Sequence, residues 1–163
     1  MYIRSFIILL SLYFNNINAT EIQYYISQYF YINPHSYSIN GVQVQKYNPG
    51  KLFDLAFLSK NDIYKKCAEK QESHLIVNLY PQTFYNPQMN TLTTDLKVRV
   101  YDGKGSLAKT ISINQKNQVF LKEHSDTLIT KHYSDLIDRL SGTLLLEKKL
   151  SNKIDGSFCK IFK

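Results

Sequence analysis

The sequence predicts an α+β fold, or an α/β fold with a mixed sheet: one mainly antiparallel sheet of about four to six strands, covered by a long C-terminal amphipathic helix and a shorter central helix. Three observations carry this prediction. Residues 92–101 alternate between a Leu/Thr/Val row and a largely charged row, as in a strand with one buried face. Asp-Gly-Lys-Gly at 102–105 supplies the positive-φ residues of a tight hairpin. Residues 126–149 carry apolar side chains at helical spacing.

The N-terminus has the order of a secretory signal peptide. Arg4 is followed by an apolar run over 5–14 and a polar segment that ends in the small residue Ala19. The apolar run is short for a membrane-spanning helix, although a retained N-terminal anchor is the alternative. We expect cleavage after Ala19, which leaves a single α+β domain over 20–163 in the periplasm or secreted. No later stretch is apolar enough to cross a membrane.

The chain is basic. Its 20 Lys and Arg residues outnumber 13 Asp and Glu residues; loss of Arg4 with the signal leaves 19 basic residues and a formal charge of +6. Such an excess favours anionic partners: lipid headgroups, acidic glycans or nucleic acid. The basic residues are scattered, and only 65–66 and 148–149 are adjacent pairs. We therefore expect a solvated basic surface and no nucleic-acid partner.

Two cysteines, Cys67 and Cys159, suggest a disulfide in an oxidising compartment. A bridge across about 92 residues stabilises the fold by on the order of 4 kcal/mol in the chain-entropy model. The alternative is two buried thiols in a chain that is not exported. Their separation does not fit a redox pair or a zinc knuckle.

The first half of the mature chain contains several short elements. Partial alternation predicts a strand within 21–32, and Asn40-Gly41 predicts a hairpin over 37–44. Asn48-Pro49-Gly50 is typical of a turn. Apolar spacing predicts helix over 52–58 and over 60–71, where Ser59 and Asp62 have the spacing of a capping box.

The second half is organised by the hairpin that turns at 102–105. The sequence predicts a central strand over 75–79 and a further short edge strand within 115–122. It predicts a loop bounded by prolines over 80–91. The predicted register places three pairs opposite each other: Val100 with Leu107, Leu96 with Ile111, and Thr94 with Ile113. Ser125 or Asp126 is expected to cap the helix over 126–149.

The candidate binding residues are Tyr80, Phe84 and Tyr85. They lie in the segment predicted to be a loop, where large apolar side chains are typical of a contact surface. The alternative is that Phe84 and Tyr85 fold back as a lid on the sheet.

The sequence contains no catalytic constellation, so we assign no catalytic residue, metal ligand or cofactor. The favoured function is a non-enzymatic binding or accessory protein of the cell envelope that contacts a partner protein or a lipid-like, glycan or other anionic ligand. A small envelope hydrolase that uses His124 or His132 with a nearby acid is one alternative. A secreted effector is another.

The order of strand, glycine-turned hairpin and long amphipathic helix over Leu75–Leu146 resembles that of several small envelope proteins. Among them are auxiliary lipoproteins of lipid-moving ABC systems and lipoprotein activators of peptidoglycan synthases. Those families are usually lipid-anchored through a cysteine, and no cysteine lies near the expected cut site. The resemblance therefore implies an envelope location and transfers no functional residue.

We expect the secreted form to begin at Thr20 and to contain no reduced thiol. Intact-mass spectrometry of the exported protein, with and without reduction and alkylation, measures both features. An intact chain that still begins at Met1, or two alkylated cysteines without reduction, would contradict this prediction.

Overall fold

A computed structural model describes residues 22–39, 43–60, 62–67, 73–102, 105–121, 125–145, 159 and 162. Several expectations lie outside these residues. They are the signal peptide with its cut site, the Asn40-Gly41 turn, Gly103, His124 and the helix end over 146–149.

The described residues form seven strands in two sheets. The main sheet is five-stranded and mixed, in the order β4-β1-β5-β6-β7. Its strands are β1 (Ile22–Ile26), β4 (Tyr64–Lys66), β5 (Leu75–Asn86), β6 (Thr91–Tyr101) and β7 (Leu107–Gln118). β1 runs parallel to β4 and β5, whereas β5, β6 and β7 are antiparallel. The second sheet is the predicted hairpin of β2 (His35–Ile39) and β3 (Gln43–Tyr47). The predicted α+β class is confirmed.

Within the described ranges three helices accompany the sheets: α1 (Tyr29–Ile32), α2 (Pro49–Leu58) and α3 (Asp126–Leu145). α3 matches the predicted C-terminal helix as far as it is described, and Ser125 accepts its first backbone hydrogen bonds. No helix in the described part of the chain is both long and apolar enough to span a membrane.

The core lies between one face of the main sheet, here called the inner face, and the helices α2 and α3. Phe53 of α2 stacks on Tyr133 of α3 with ring centroids 3.9 Å apart, and Phe57 stacks on Tyr24 of β1 at the same distance. The buried α3 residues are those predicted from helical spacing: Ile129, Tyr133, Leu136, Ile137, Leu140 and Leu144. Both helices therefore cover the same side of the sheet.

The central helix, α2, ends before the longer of the two predicted segments, 60–71, begins. The segment predicted as a turn at 48–50 starts α2: the Asn48 side chain accepts a hydrogen bond from the Lys51 N–H at 2.9 Å, and Pro49 occupies the first turn. Helix over 52–58 is thus confirmed. The helix predicted over 60–71 is wrong, because Tyr64–Lys66 pairs with β1 as the edge strand β4. Apolar spacing in so short a segment does not distinguish a strand from a helix. Here the backbone pairing with β1 makes the segment a strand.

The segment predicted as a loop over 80–91 is also different. β5 continues through Pro81 to Asn86 and pairs with β6 over its whole second half. The short edge strand predicted within 115–122 is the end of β7. Both strands extend because their partners are long enough to satisfy their backbone groups.

The hairpin register is shifted by two residues from the prediction. Leu96 pairs with Ile113 instead of Ile111, and Thr94 pairs with Gln115. The irregularity of the ladder between Val100 and Tyr101 accounts for one residue of this shift, and the turn accounts for the other. Gly105 has φ 72°, as the turn required. An even shift keeps every side chain on its face, so Leu96 and Ile111 share the inner face as expected.

The disulfide between Cys67 and Cys159 is confirmed, with a Cα–Cα distance of 5.8 Å. It links the end of β4 to the C-terminal segment. Phe162 then packs against Tyr25 and Tyr101, with ring centroids 5.1 Å and 5.2 Å apart. Residues 159 and 162 therefore lie on the face of the sheet opposite the helices, here called the outer face.

Replacement of Phe53 by Ala should lower the free energy of unfolding by about 3–5 kcal/mol, because it empties a fully buried aromatic site between two helices. Leu55→Ala is the matched control in the same helix; its side chain is 52% exposed, so we expect a loss below about 1 kcal/mol. Chemical denaturation of both variants measures the difference. Equal losses would contradict the packing described here.

Candidate functional site

In the described part of the chain, Cys159 and Phe162 cover the outer face of β5, β6 and β7 at one end, near the Ile76–Tyr101 pair. Beyond that pair Asn78, Thr91 and Thr93 are still buried, but the other outward-facing side chains are exposed or half-buried. We call this region the open face and define it by Tyr80, Gln82 and Phe84 of β5, Asp95, Lys97 and Arg99 of β6, and Ser112 and Asn114 of β7.

The open face exists because strand residues alternate between the two sides of a sheet. In β6 the row Leu92, Leu96, Val98 and Val100 is buried on the inner face, while Asp95, Lys97 and Arg99 are exposed between them. The pairs Tyr80–Lys97 and Lys97–Ser112 then bring polar residues from three strands side by side. Together these side chains line a concavity of about 570 Å³.

The open face has an excess of positive charge. The Arg99 guanidinium lies over the Tyr80 ring, 5.2 Å from its centroid, which is a cation–π arrangement. The Asp95 carboxylate accepts a hydrogen bond from the Asn114 amide at 2.5 Å. Neither Lys97 nor Arg99 pairs with a carboxylate in the described part of the chain. Two cations therefore stand next to each other without an acidic partner.

The structure separates the three predicted binding residues. Tyr80 and Phe84 lie on the open face, where Phe84 is 56% exposed. Tyr85 points to the inner side, where its ring meets Tyr37 at 6.0 Å and its hydroxyl donates to Asn90 at 3.1 Å. Tyr85 thus takes the lid position that the sequence left as an alternative. A binding role for Tyr80 and Phe84 stays a prediction.

His132, one of the two histidines considered for hydrolysis, lies in the interior. Its Nε2 is 2.9 Å from the Thr94 hydroxyl, and its Nδ1 is 3.4 Å from the Gln115 amide nitrogen. Burial lowers the pKa of His132 to about 4, although Asp135 opposes this shift. The imidazole is therefore neutral at physiological pH and forms part of a buried polar network with Thr83 and Tyr133.

Sequence reasoning missed Lys97 and Arg99 as members of a site. The signal was present in the alternation of β6, whose solvent-facing row reads Asp, Lys, Arg at 95, 97 and 99. What the sequence did not provide was the strand structure of 80–86, which brings Tyr80 next to these cations.

The described residues contain no group of three or more His, Cys, Asp or Glu side chains that could hold a metal ion.

Comparison with known proteins adds no family. No protein-family model matches the sequence, and no curated protein matches it. One solved structure, described as "Crystal structure of uncharacterized protein", is similar with a TM-score of 0.48 and 10% sequence identity. The match covers 76% of this chain and 89% of that chain.

His132 should make the fold sensitive to acid. In the unfolded chain its pKa returns to about 6.5, whereas in the folded protein it is about 4. The unfolded state therefore binds the proton first, and stability is lost as the pH falls from 6.5 to 4. The loss attributable to this group approaches about 3 kcal/mol at the lower limit.

Urea denaturation of the wild type and of His132→Gln over this pH range isolates the effect. Gln keeps a hydrogen-bonding group near Thr94 but does not titrate, so its stability should fall less steeply with acid. Because other titrating groups are common to both proteins, parallel curves would rule out the buried neutral histidine.

Proposed function

We propose that this chain is an exported, non-enzymatic binding protein of the cell envelope that contacts an acidic partner protein through its open face. The observation that carries the proposal is the pair of cations, Lys97 and Arg99, that lack an ion-pair partner in the described residues and lie beside the half-buried ring of Tyr80 and the exposed ring of Phe84.

Two features support an exported location. The N-terminal segment has the order of a signal peptide, and the bond between Cys67 and Cys159 is of a kind that persists in oxidising compartments. The disulfide also holds residue 159 on the outer face, next to the open face.

Arg and Tyr are the residue types most enriched at the energetic centres of protein interfaces. Here the Arg99 guanidinium is stacked on the Tyr80 ring, and this contact reduces the side-chain entropy that Arg99 loses on binding. A guanidinium in this setting suits a carboxylate, which it can bind through two parallel hydrogen bonds. Lys97 adds a second positive charge, and Gln82 and Ser112 offer neutral hydrogen-bonding groups around it.

A protein partner suits the breadth of the open face, because its residues come from three adjacent strands and not from one cleft between two elements.

The test is a photo-crosslinker placed at Ser112, an exposed residue of the open face, in cells that export the protein. We expect one discrete adduct with an acidic protein, and a decrease of about tenfold when Arg99→Glu reverses the charge, the size expected for loss of an interface anchor. Tyr80→Ser combined with Phe84→Ser should also weaken the adduct.

Lys46→Glu on β3 is the matched control, because it reverses an exposed lysine outside the open face. A crosslinker at Lys131 on the exposed side of α3 controls for position. Equal adducts in the Arg99 and Lys46 variants, or an adduct with a glycan in place of a protein, would overturn the proposal.

A further inference from the structure

A second concave surface lies at the opposite edge of the main sheet, between α2 and the edge strand β4. Its volume is about 770 Å³, within the range of small-molecule sites. We call it the edge groove. It is lined by Tyr24, Lys51, Asp54, Leu55, Leu58, Tyr64, Lys65 and Lys66. We propose that the edge groove binds a single-chain anionic amphiphile, of which a long-chain fatty acid is the simplest. The proposal is independent of the open face.

One end of the edge groove is apolar. α2 buries Phe53 and Phe57 against the core, yet it also presents Leu55 and Leu58 on its other side, where they are 52% and 59% exposed. A short helix that is apolar on both sides gains stability when both are covered. In the described residues the outer leucines have no such cover, so an alkyl chain that removes them from water is favoured.

The other end of the edge groove is cationic. The Asp54 carboxylate is engaged by three donors: the Tyr24 hydroxyl at 3.1 Å, the Tyr31 hydroxyl at 2.9 Å and the Lys66 ammonium at 2.6 Å. Its single negative charge is therefore balanced by Lys66. Lys51 adds one further positive charge, which leaves this end net positive.

The order from charged to apolar residues is the same along both walls of the edge groove, α2 and β4. Along α2, Lys51, Leu55 and Leu58 are spaced by four and three residues and so lie on one stripe. On β4, Tyr64 packs near the end of α2 against Phe57, whereas Lys66 reaches Asp54 in its middle. The stripe is about 10 Å long, so it suits a ligand with one charged head and one linear apolar tail.

This polarity argues for a free amphiphile over a bilayer surface. A membrane-docking surface would surround its leucines with cations on several sides. Here the cations stand at one end and the leucines at the other, along the walls of a concavity. Such an arrangement matches the head-to-tail order of one extended molecule.

The test is fluorescence titration of the disulfide-bonded mature protein with dansylated undecanoate. We expect saturable binding that decanoate displaces and decanol displaces about tenfold less well, since decanol lacks the charge that the lysines recognise. Leu55→Gln combined with Leu58→Gln should raise the Kd about tenfold, and Lys51→Glu should do the same. Both leucines are exposed, so the melting temperature should stay close to that of the wild type.

Leu107→Gln is the matched control. Its side chain is 54% exposed on β7, at the far edge of the sheet, and its Kd should remain within about twofold of the wild type. Absence of saturable binding would overturn the proposal, as would equal losses in the Leu55/Leu58 and Leu107 variants. Binding to anionic vesicles without binding to the monomeric probe would overturn it as well.

Discussion

The architecture depends on the burial of one face of a long antiparallel sheet. The inner rows of β5 and β6 are apolar and lie under α2 and α3, which are held together by the stacked rings of Phe53 and Tyr133. With both helices on one side, the outer side retains its polar residues over most of its length. The disulfide adds partial cover at one end, where Cys159 and Phe162 lie against the sheet.

Burial of one sheet face also groups charged residues that are scattered in the sequence. Lys97 and Arg99 are two residues apart in a strand, so they project from the same side and come next to Tyr80 of the neighbouring strand. At the other edge, Lys66 is brought to Asp54 by the packing of α2 beside β4. Two surfaces of different chemistry result: a polar sheet face that carries two cations, and a groove with one apolar end and one charged end.

The interior also contains polar side chains, and their hydrogen bonds connect the sheet to α3. Thr83, Thr94, Gln115 and His132 form hydrogen bonds between the inner face and α3. A histidine with a lowered pKa in a solvent-reached cleft would suggest acid–base catalysis. Here His132 is buried against a threonine and an amide, so its neutral form serves packing and register in the folded protein.

Part of the site could be read from the sequence. The aromatic residues at 80, 84 and 85 were singled out as candidate binding residues, but the loop prediction treated them as one cluster. Successive side chains of β5 point to opposite faces of the sheet, so residues 80 and 84 lie on one face and residue 85 lies on the other. The groove was not predictable, since one of its two walls is a strand, Tyr64–Lys66, that was predicted as helix.

By itself the sequence determined the elements whose signals are local and repeated. Strict alternation defined β6 and its inner face, regular apolar spacing defined α3, and the presence of two cysteines indicated one bridge. Only the tertiary structure decided the state of Tyr64–Lys66, the length of β5 and the two-residue shift of the hairpin. These depend on backbone pairing with strands distant in sequence, and a short segment satisfies its hydrogen bonds wherever a partner is available.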